Sequence, residues 1–213
     1  MEEPLVAHLS LAFDLASGQR ARLLRQPTIG PVIPDMLLGI WSGDLPRWRS
    51  LNPISRHILA WLSVQKTAND EEHICDSLFI SRNAASTAVS LLERVGAIAK
   101  KDSGEIALQQ EFDASNSVRI IAIEMKLRRW REALEQAIAY QKFADEAYVV
   151  LGETQRQLSC EARDAFSSCG VGLIIYDDGR FEAQISAASK MPIPSADRVL
   201  ALTKLSSGPY CSA

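Results

Sequence analysis

Residues 120–126, Ile-Ile-Ala-Ile-Glu-Met-Lys, constrain the fold more than any other stretch of this chain. The apolar part predicts a buried β-strand over 118–125 that ends in two opposite charges. Because side chains alternate between the faces of a strand, Glu124 and Lys126 point the same way, about 6.6 Å apart along the strand. Burying a carboxylate and an ammonium is costly unless they are paired, bound to metal or used in catalysis. The stretch therefore predicts a buried strand with a charged site at its end.

The second half of the chain alternates between strand and helix patterns, which predicts an α/β fold. A turn-rich segment upstream separates Arg22-Leu23-Leu24 from Val32-Ile33, and a strand over 36–41 follows Pro34-Asp35. Further elements are predicted as a helix over 3–16, a helix over 128–142, a strand over 147–151, a helix over 155–168, a hairpin of 172–176 with 181–185, and a short helix over 196–204.

Between these segments, residues 51–108 have a different pattern. Asn52-Pro53 and Ser81 are typical starts of helices, and Gly96 is a typical end. Three helices and a hairpin are predicted, and this order resembles the winged helix-turn-helix family. The chain is therefore divided into 1–44, an inserted domain over 45–112, and 113–213.

If the third predicted helix, 82–95, reads DNA, its polar face and the following hairpin supply the contacts. The inserted domain carries equal numbers of basic and acidic residues, however, and this neutrality weakens the case because non-specific DNA affinity is mostly electrostatic. Docking of a protein partner is the alternative role. The candidate DNA contacts are Arg82, Asn83, Ser86, Ser90, Lys100 and Lys101.

Two further motifs accompany Glu124-Met125-Lys126. Pro34-Asp35 precedes an apolar strand, and Gln136 and Tyr140 have the spacing of four that places side chains near one another on a helix. Together these motifs resemble the PD-(D/E)xK nuclease superfamily, which has the restriction-endonuclease-like fold of a mixed sheet with helices. The Gln-x-x-x-Tyr element is similar to the subgroup that contains bacterial recombination helicase-nucleases. The long segment between Asp35 and Glu124 departs from the family, and an inserted domain would account for it.

The resemblance implies a DNA endonuclease that hydrolyses phosphodiester bonds with Mg²⁺ or Mn²⁺. Asp35, Glu124 and the carbonyl of Met125 would hold the cation, and Lys126 would assist the attacking water or the developing oxyanion. Gln136 and Tyr140 would bind the site or the DNA backbone, and Glu3 would add an outer carboxylate. Arg128 and Arg129 beside the site are candidate phosphate contacts. Two-fold DNA symmetry makes a homodimer a reasonable arrangement.

Each of these residues also has a structural interpretation. Asp35 suits a turn, Glu124 and Lys126 can form an ion pair at a strand end, Glu3 suits the first turn of a helix, and Tyr140 suits a core. A non-catalytic winged-helix regulator with a nuclease-like scaffold is therefore the second hypothesis. A protein adaptor that binds no nucleic acid is the third.

Composition restricts these hypotheses. A net charge of −3 and a pI near 5.7 argue against a protein that coats DNA. The chain lacks an apolar run of 18 residues, and Met1-Glu2-Glu3 does not suit a secretory signal, so a cytoplasmic protein without membrane contact is expected. The cysteines lack C-x-x-C spacing, which predicts free thiols rather than structural zinc.

Overall fold

The structure is a computed structural model that describes residue 13 and residues 16–43, 51–65, 69–113, 118–155, 158–207 and 211–212. For residues 111, 155, 211 and 212 only the backbone is described. The helix predicted over 3–16, with Glu3, lies almost entirely outside this part of the chain.

The described elements agree closely with the predicted periodicity, and the α/β prediction is confirmed. Asn52 and Ser81 cap their helices as expected, each accepting a backbone N–H in the first turn. In chain order the elements are β1 (Gln19–Arg25), β2 (Met36–Ser42), α1 (Pro53–Val64), α2 (Glu71–Leu78), α3 (Arg82–Arg94), β3 (Ile98–Lys100), β4 (Ile106–Leu108), β5 (Arg119–Lys126), α4 (Trp130–Tyr140), β6 (Glu146–Gly152), α5 (Cys160–Cys169), β7 (Gly172–Asp177), β8 (Arg180–Ile185), α6 (Ala196–Leu205) and β9 (Cys211–Ser212).

The chain divides into two compact units. The first comprises the described residues of 1–43, 118–192 and 209–213, and the second those of 44–117 and 193–208. These divisions lie close to the expected boundaries at 44 and 112. The segment 193–208 differs from the prediction because α6 packs on α1 and belongs to the second unit. Helix amphipathicity indicates which residues are buried but not which partner buries them.

The first unit is built on a seven-stranded mixed sheet in the order β8-β7-β6-β5-β2-β1-β9. Strands β5, β6 and β7 are parallel, and the other neighbours are antiparallel. Helix α4 packs on β5 and β6, and α5 packs on β7 and β8. The central strand β5 is almost wholly buried from Ile120 to Glu124, as its apolar sequence requires.

The second unit contains α1, α2, α3, α6 and the antiparallel pair of β3 and β4. The polar caps Asn52, Asp70 and Ser81 start the first three helices, and Ile58, Leu59 and Leu92 lie in the core that these helices enclose. This arrangement leaves the polar face of α3 exposed.

Two further expectations can be compared with the described residues. None of their helices is both long enough and apolar enough to cross a membrane. Cys75, Cys160 and Cys169 are free thiols, as the cysteine spacing predicted.

Candidate active site

Asp35 immediately precedes β2, and Glu124 lies near the end of the neighbouring strand β5. Strands β2 and β5 are antiparallel with Met36 opposite Ile123, and the same register continued by one residue would pair Asp35 with Glu124. Directly opposed residues share a face and have Cβ atoms about 4.5–5.5 Å apart. Met36 and Ile123 belong to the apolar core on one face, so Asp35 and Glu124 belong to the other.

The position of Asp35 is fixed by two hydrogen bonds to neighbouring strands. Its Oδ2 accepts the backbone N–H of Met125 at 2.8 Å, and its carbonyl accepts the backbone N–H of Gln26 at 2.9 Å. The Asp35 side chain thus adds a hydrogen bond between the two strands beyond their last backbone pair, Met36 and Ile123. As a result, the Asp35 carboxylate lies between the ends of two buried strands.

The carbonyl of Met125 is directed toward the same edge of β5. In a strand the N–H and C=O of one residue point to one side, and the Met125 N–H points to Asp35. Ile120, an even-numbered residue of β5, instead exchanges hydrogen bonds with Asp145 on the β6 side. Pro34, which the register would set opposite Met125, has no N–H to donate to this carbonyl. Met125 therefore offers a main-chain oxygen beside Asp35.

The Glu124 carboxylate is 2 % exposed and is held by two side chains. Tyr140 on α4 donates its hydroxyl to Oε2 at 2.6 Å, and Lys126 lies with Nζ 2.6 Å from Oε1. The carboxylate therefore has a hydrogen-bond donor on one oxygen and a cation on the other. The ion pair considered in the structural interpretation of Glu124 and Lys126 is present.

These contacts shift two pKa values. The hydrogen bond to Glu124 raises the pKa of Lys126 above 10.5 more than desolvation lowers it, and the charges of Glu124 and Asp35 add to the rise. Burial raises the pKa of Tyr140 well above 10.0, with further contributions from its hydrogen bond to Glu124 and from the charges of Glu124 and Asp35. Lys126 is therefore cationic and Tyr140 neutral at physiological pH.

Two carboxylates and one main-chain oxygen are the donors that this site offers a metal ion. They are hard oxygen ligands, which suit Mg²⁺ or Mn²⁺. Within the described ranges no group of three or more His, Cys, Asp or Glu side chains is close enough to hold a metal. The donor set is therefore small, and Lys126 already neutralises part of its charge.

Gln136 is not brought into this cluster. It is exposed on α4 and has no hydrogen bond to Glu124, whereas Tyr140 is buried. A step of four residues turns a helix by about 400°, so the two side chains are offset by about 40°. Tyr140 lies at the edge of the buried stripe that contains Ala133 and Ala137, and Gln136 lies beyond that edge. Of the two residues, only Tyr140 therefore contacts Glu124, and a contact of the exposed Gln136 with the DNA backbone stays a prediction.

Basic residues follow Lys126 directly. Arg128 and Arg129 are exposed, and Arg129 forms an ion pair of 3.3 Å with Glu132. Arg131 lies 2.9 Å from Glu161 and stacks over Trp130. Such exposed pairs contribute little to stability, so these cations remain accessible to phosphate groups. Glu3, the outer carboxylate of the prediction, lies outside the described residues.

In the second unit, the candidate cations are paired with glutamates. Arg82 lies 2.6 Å from Glu72, Lys100 lies 2.8 Å from Glu71, and Lys101 lies 2.8 Å from Glu105. Each of these three cations therefore has a glutamate as its partner. The uncharged candidates are exposed along the same face of α3, namely Asn83, Ser86 and Ser90.

Sequence reasoning missed an apolar cleft next to the charged edge. It is about 250 Å³ in volume and lies where the parallel strands β5, β6 and β7 end. Clefts at the carboxyl ends of parallel strands are frequent ligand sites, but the strand order that forms this one is not visible in the sequence. Its lining residues are Met125, Lys126, Leu127, Val150, Leu151, Gly152 and Tyr176.

Comparisons of the chain with protein-family models, with curated proteins and with solved structures found no match. The function is therefore inferred from the geometry of the site itself.

Proposed function

We propose that this protein is a metal-dependent DNA nuclease of the PD-(D/E)xK type. The observation that carries the proposal is the hydrogen bond by which the Asp35 carboxylate reaches β5 at Met125, the residue between Glu124 and Lys126. Two acids and a lysine at the end of adjacent strands are the groups that phosphodiester hydrolysis requires.

The order of the strands supports the same proposal. Antiparallel β1, β2 and β5 are followed by α4 and then by β6, which is parallel to β5. This succession is similar to the core of restriction-endonuclease-like proteins. The residues between β2 and β5 form the larger part of the second unit, which 193–208 complete, and this agrees with an insertion between two strands of that core.

The residues of the site have separate tasks in this proposal. Asp35, Glu124 and the carbonyl of Met125 would hold Mg²⁺ or Mn²⁺. When bound, the ion supplies charge neutralisation at the phosphate and a water molecule of lowered pKa. Lys126 is one-third exposed and has a flexible stem, so it can leave Glu124 and donate to a phosphate oxygen or to the attacking water. Tyr140 is a positioning residue that fixes Glu124.

We further propose that the second unit is a winged helix-turn-helix that contributes to DNA binding. Helices α1, α2 and α3 precede the hairpin of β3 and β4, and α3 exposes Arg82, Asn83, Ser86 and Ser90. Such a helix can read base edges in a major groove, while Lys100 and Lys101 contact phosphates. Exposed ion pairs are weak, so DNA phosphates can replace Glu71, Glu72 and Glu105 as partners.

A non-catalytic DNA-binding regulator is the second candidate function. The contact of Lys126 with Glu124 favours it, because an ion pair neutralises the site without any metal. The small number of acidic side chains in the described part of the site agrees with this alternative.

Plasmid cleavage distinguishes the two functions. Purified protein is incubated with supercoiled plasmid and Mg²⁺ or Mn²⁺, and nicked and linear products are quantified. The nuclease proposal expects cleavage that Asp35→Asn, Glu124→Gln and Lys126→Met each abolish. The matched controls Glu135→Gln and Asp164→Asn change exposed carboxylates on α4 and α5 and should leave cleavage intact. Unchanged cleavage by Glu124→Gln would eliminate this site, whereas metal-independent, sequence-selective binding without cleavage would favour the regulator.

A further inference from the structure

The apolar cleft shares a strand end with the charged site. Lys126 belongs to both, because it lines the cleft and forms the ion pair with Glu124. Met125 points to the face opposite Glu124, since successive side chains of a strand alternate. The end of β5 therefore has an apolar surface on one face and two acids on the other, and Lys126 reaches both the cleft and Glu124.

Tyr176 supplies an aromatic wall for the cleft. It lies opposite Gly152 on β6 and opposite Phe181 on β8. The ring of Phe181 packs 5.1 Å from that of Tyr176 and supports it, and 41 % of Tyr176 stays exposed. Because Gly152 has no side chain, the space between Leu127 and Tyr176 remains open.

Exposed apolar side chains complete the surface. Leu127 is 79 % exposed, although it follows a strand that is buried over most of its length. Leaving a leucine and a tyrosine in water beside a cleft forgoes burial free energy, which is a typical property of binding sites. Lys126 and the exposed Arg128 flank this leucine in sequence, so an anionic group would be attracted to the same place.

We propose that this cleft binds the base of an unpaired nucleotide next to the scissile phosphate, so that the preferred substrate is single-stranded or locally unpaired DNA. The inference rests on the proposed nuclease function and adds its substrate class. A nucleotide combines a planar apolar base with an anionic phosphate, which matches an aromatic cleft beside Lys126 and Arg128. Bases in a duplex are stacked and cannot enter such a cleft, whereas splayed bases stack readily on exposed aromatic side chains.

A second copy of this chain is a less suitable occupant. A stable protein interface buries about 800 Å² on each partner. The cleft has only seven lining residues, and Val150 and Leu151 among them are already buried. The surface is therefore better matched to a single base than to a protein face.

Equilibrium binding in EDTA tests the inference without cleavage. Fluorescence anisotropy is measured with a labelled single-stranded oligonucleotide, with the same sequence as a duplex, and with a strand that carries a run of abasic sites. The intact single strand should bind more tightly than both. Tyr176→Ala should weaken its binding about 5- to 160-fold, the range expected for one stacked base, and should remove the preference for intact over abasic strands. Tyr176→Phe, which keeps the ring, should retain that preference.

Two further variants keep the inference testable even if Tyr176→Ala fails to fold. Gly152→Val fills the cleft; the Cβ at this position would lie 3.4 Å from Leu127 Cδ2, an ordinary contact. It should weaken single-strand binding while leaving duplex binding unchanged. Ile138→Ala removes an exposed apolar side chain from α4 and should change neither. Equal affinity for intact and abasic strands would overturn the inference, as would a dimer that Leu127→Ser or Tyr176→Ala dissociates in sedimentation.

Failure of the base site and failure of the nuclease function give different results. A protein that binds single strands through Tyr176 but cuts no DNA with Mg²⁺ or Mn²⁺ contradicts the nuclease proposal and leaves the base site intact. A protein that cuts plasmid while its binding is insensitive to Tyr176 and Gly152 contradicts the base site alone.

Discussion

The hydroxyl of Tyr140 donates a hydrogen bond of 2.6 Å to Glu124, a carboxylate that is 2 % exposed. The bond joins the only helix that packs on both β5 and β6, among the described elements, to the end of the central strand. Because water cannot replace a lost partner at such a buried oxygen, this contact links the stability of the first unit to the geometry of its candidate site.

Removing the hydroxyl should therefore destabilise the protein. Tyr140→Phe keeps the ring and leaves Glu124 Oε2 without its donor, at a cost of about 1.5–3 kcal/mol in the free energy of unfolding. Urea denaturation monitored by circular dichroism measures this value. If the variant cleaves DNA, its kcat should also fall, since Glu124 is less well positioned. Tyr176→Phe is the control; equal stability of both variants would show that the contact contributes nothing.

Alkaline pH should destabilise the protein through the same tyrosine. The pKa of Tyr140 in the folded state is raised above its ordinary value of 10.0, so the folded state retains a proton that the unfolded state loses. The resulting stability is present below pH 10 and declines as the pH rises toward the folded-state value. Tyr140→Phe should reduce the slope of unfolding free energy against pH above pH 10, by up to about 1.4 kcal/mol per pH unit. Urea titrations between pH 8 and 11 measure both slopes, and identical slopes would contradict the buried environment of the hydroxyl.

Much of this arrangement follows from local sequence. Helix caps such as Ser81 and the buried run of β5 depend on patterns within a few residues, and both were predicted. The contact between Glu124 and Lys126 is equally local, and it was one of the interpretations that the sequence left open. The position of α6 in the second unit, and the cleft near Tyr176, depend on which elements become neighbours. That information resides in long-range packing, which a single sequence does not display.

The pairs formed by the basic residues illustrate the same limit. Arg82 finds Glu72 on the preceding helix, and Lys100 finds Glu71 across 29 residues. Counting charges predicted neutrality for the segment but not which cation each acid would neutralise. The spacing of four likewise predicted that Gln136 and Tyr140 lie near one another but not that Tyr140 alone reaches Glu124, since four residues exceed a full turn by about 40°.

Competition between Lys126 and a divalent cation for the Glu124 and Asp35 carboxylates can be tested without a cleavage assay. Lys126→Met leaves the buried Glu124 carboxylate without its ammonium and should cost about 1–3 kcal/mol in stability. In this variant no ammonium competes with a cation for the two carboxylates. Ca²⁺ at about 10 mM should therefore raise the Tm of the variant more than the Tm of the wild type. Differential scanning fluorimetry with and without Ca²⁺ measures the shifts. The double variant Glu124→Gln, Lys126→Met should lose the extra shift; equal shifts in all three proteins would argue against a cation site.

The ion pair of Arg82 and Glu72 predicts opposite effects of two substitutions on DNA binding. Their side chains are 80 % and 70 % exposed, so the pair is worth no more than about 1 kcal/mol and can open. Glu72→Gln frees the guanidinium beside the polar face of α3 and removes a negative charge, and duplex affinity should rise about 2- to 5-fold. Arg82→Ala should lower it and reduce the slope of log affinity against log salt by about one if Arg82 contacts a phosphate. Anisotropy titrations of a labelled duplex at salt concentrations between about 50 and about 200 mM measure both effects. Asp164→Asn, which changes an exposed carboxylate of the first unit, is the control. If Arg82→Ala and Glu72→Gln both leave affinity unchanged, α3 is not a DNA-reading helix, and its exposed face is better assigned to a protein partner.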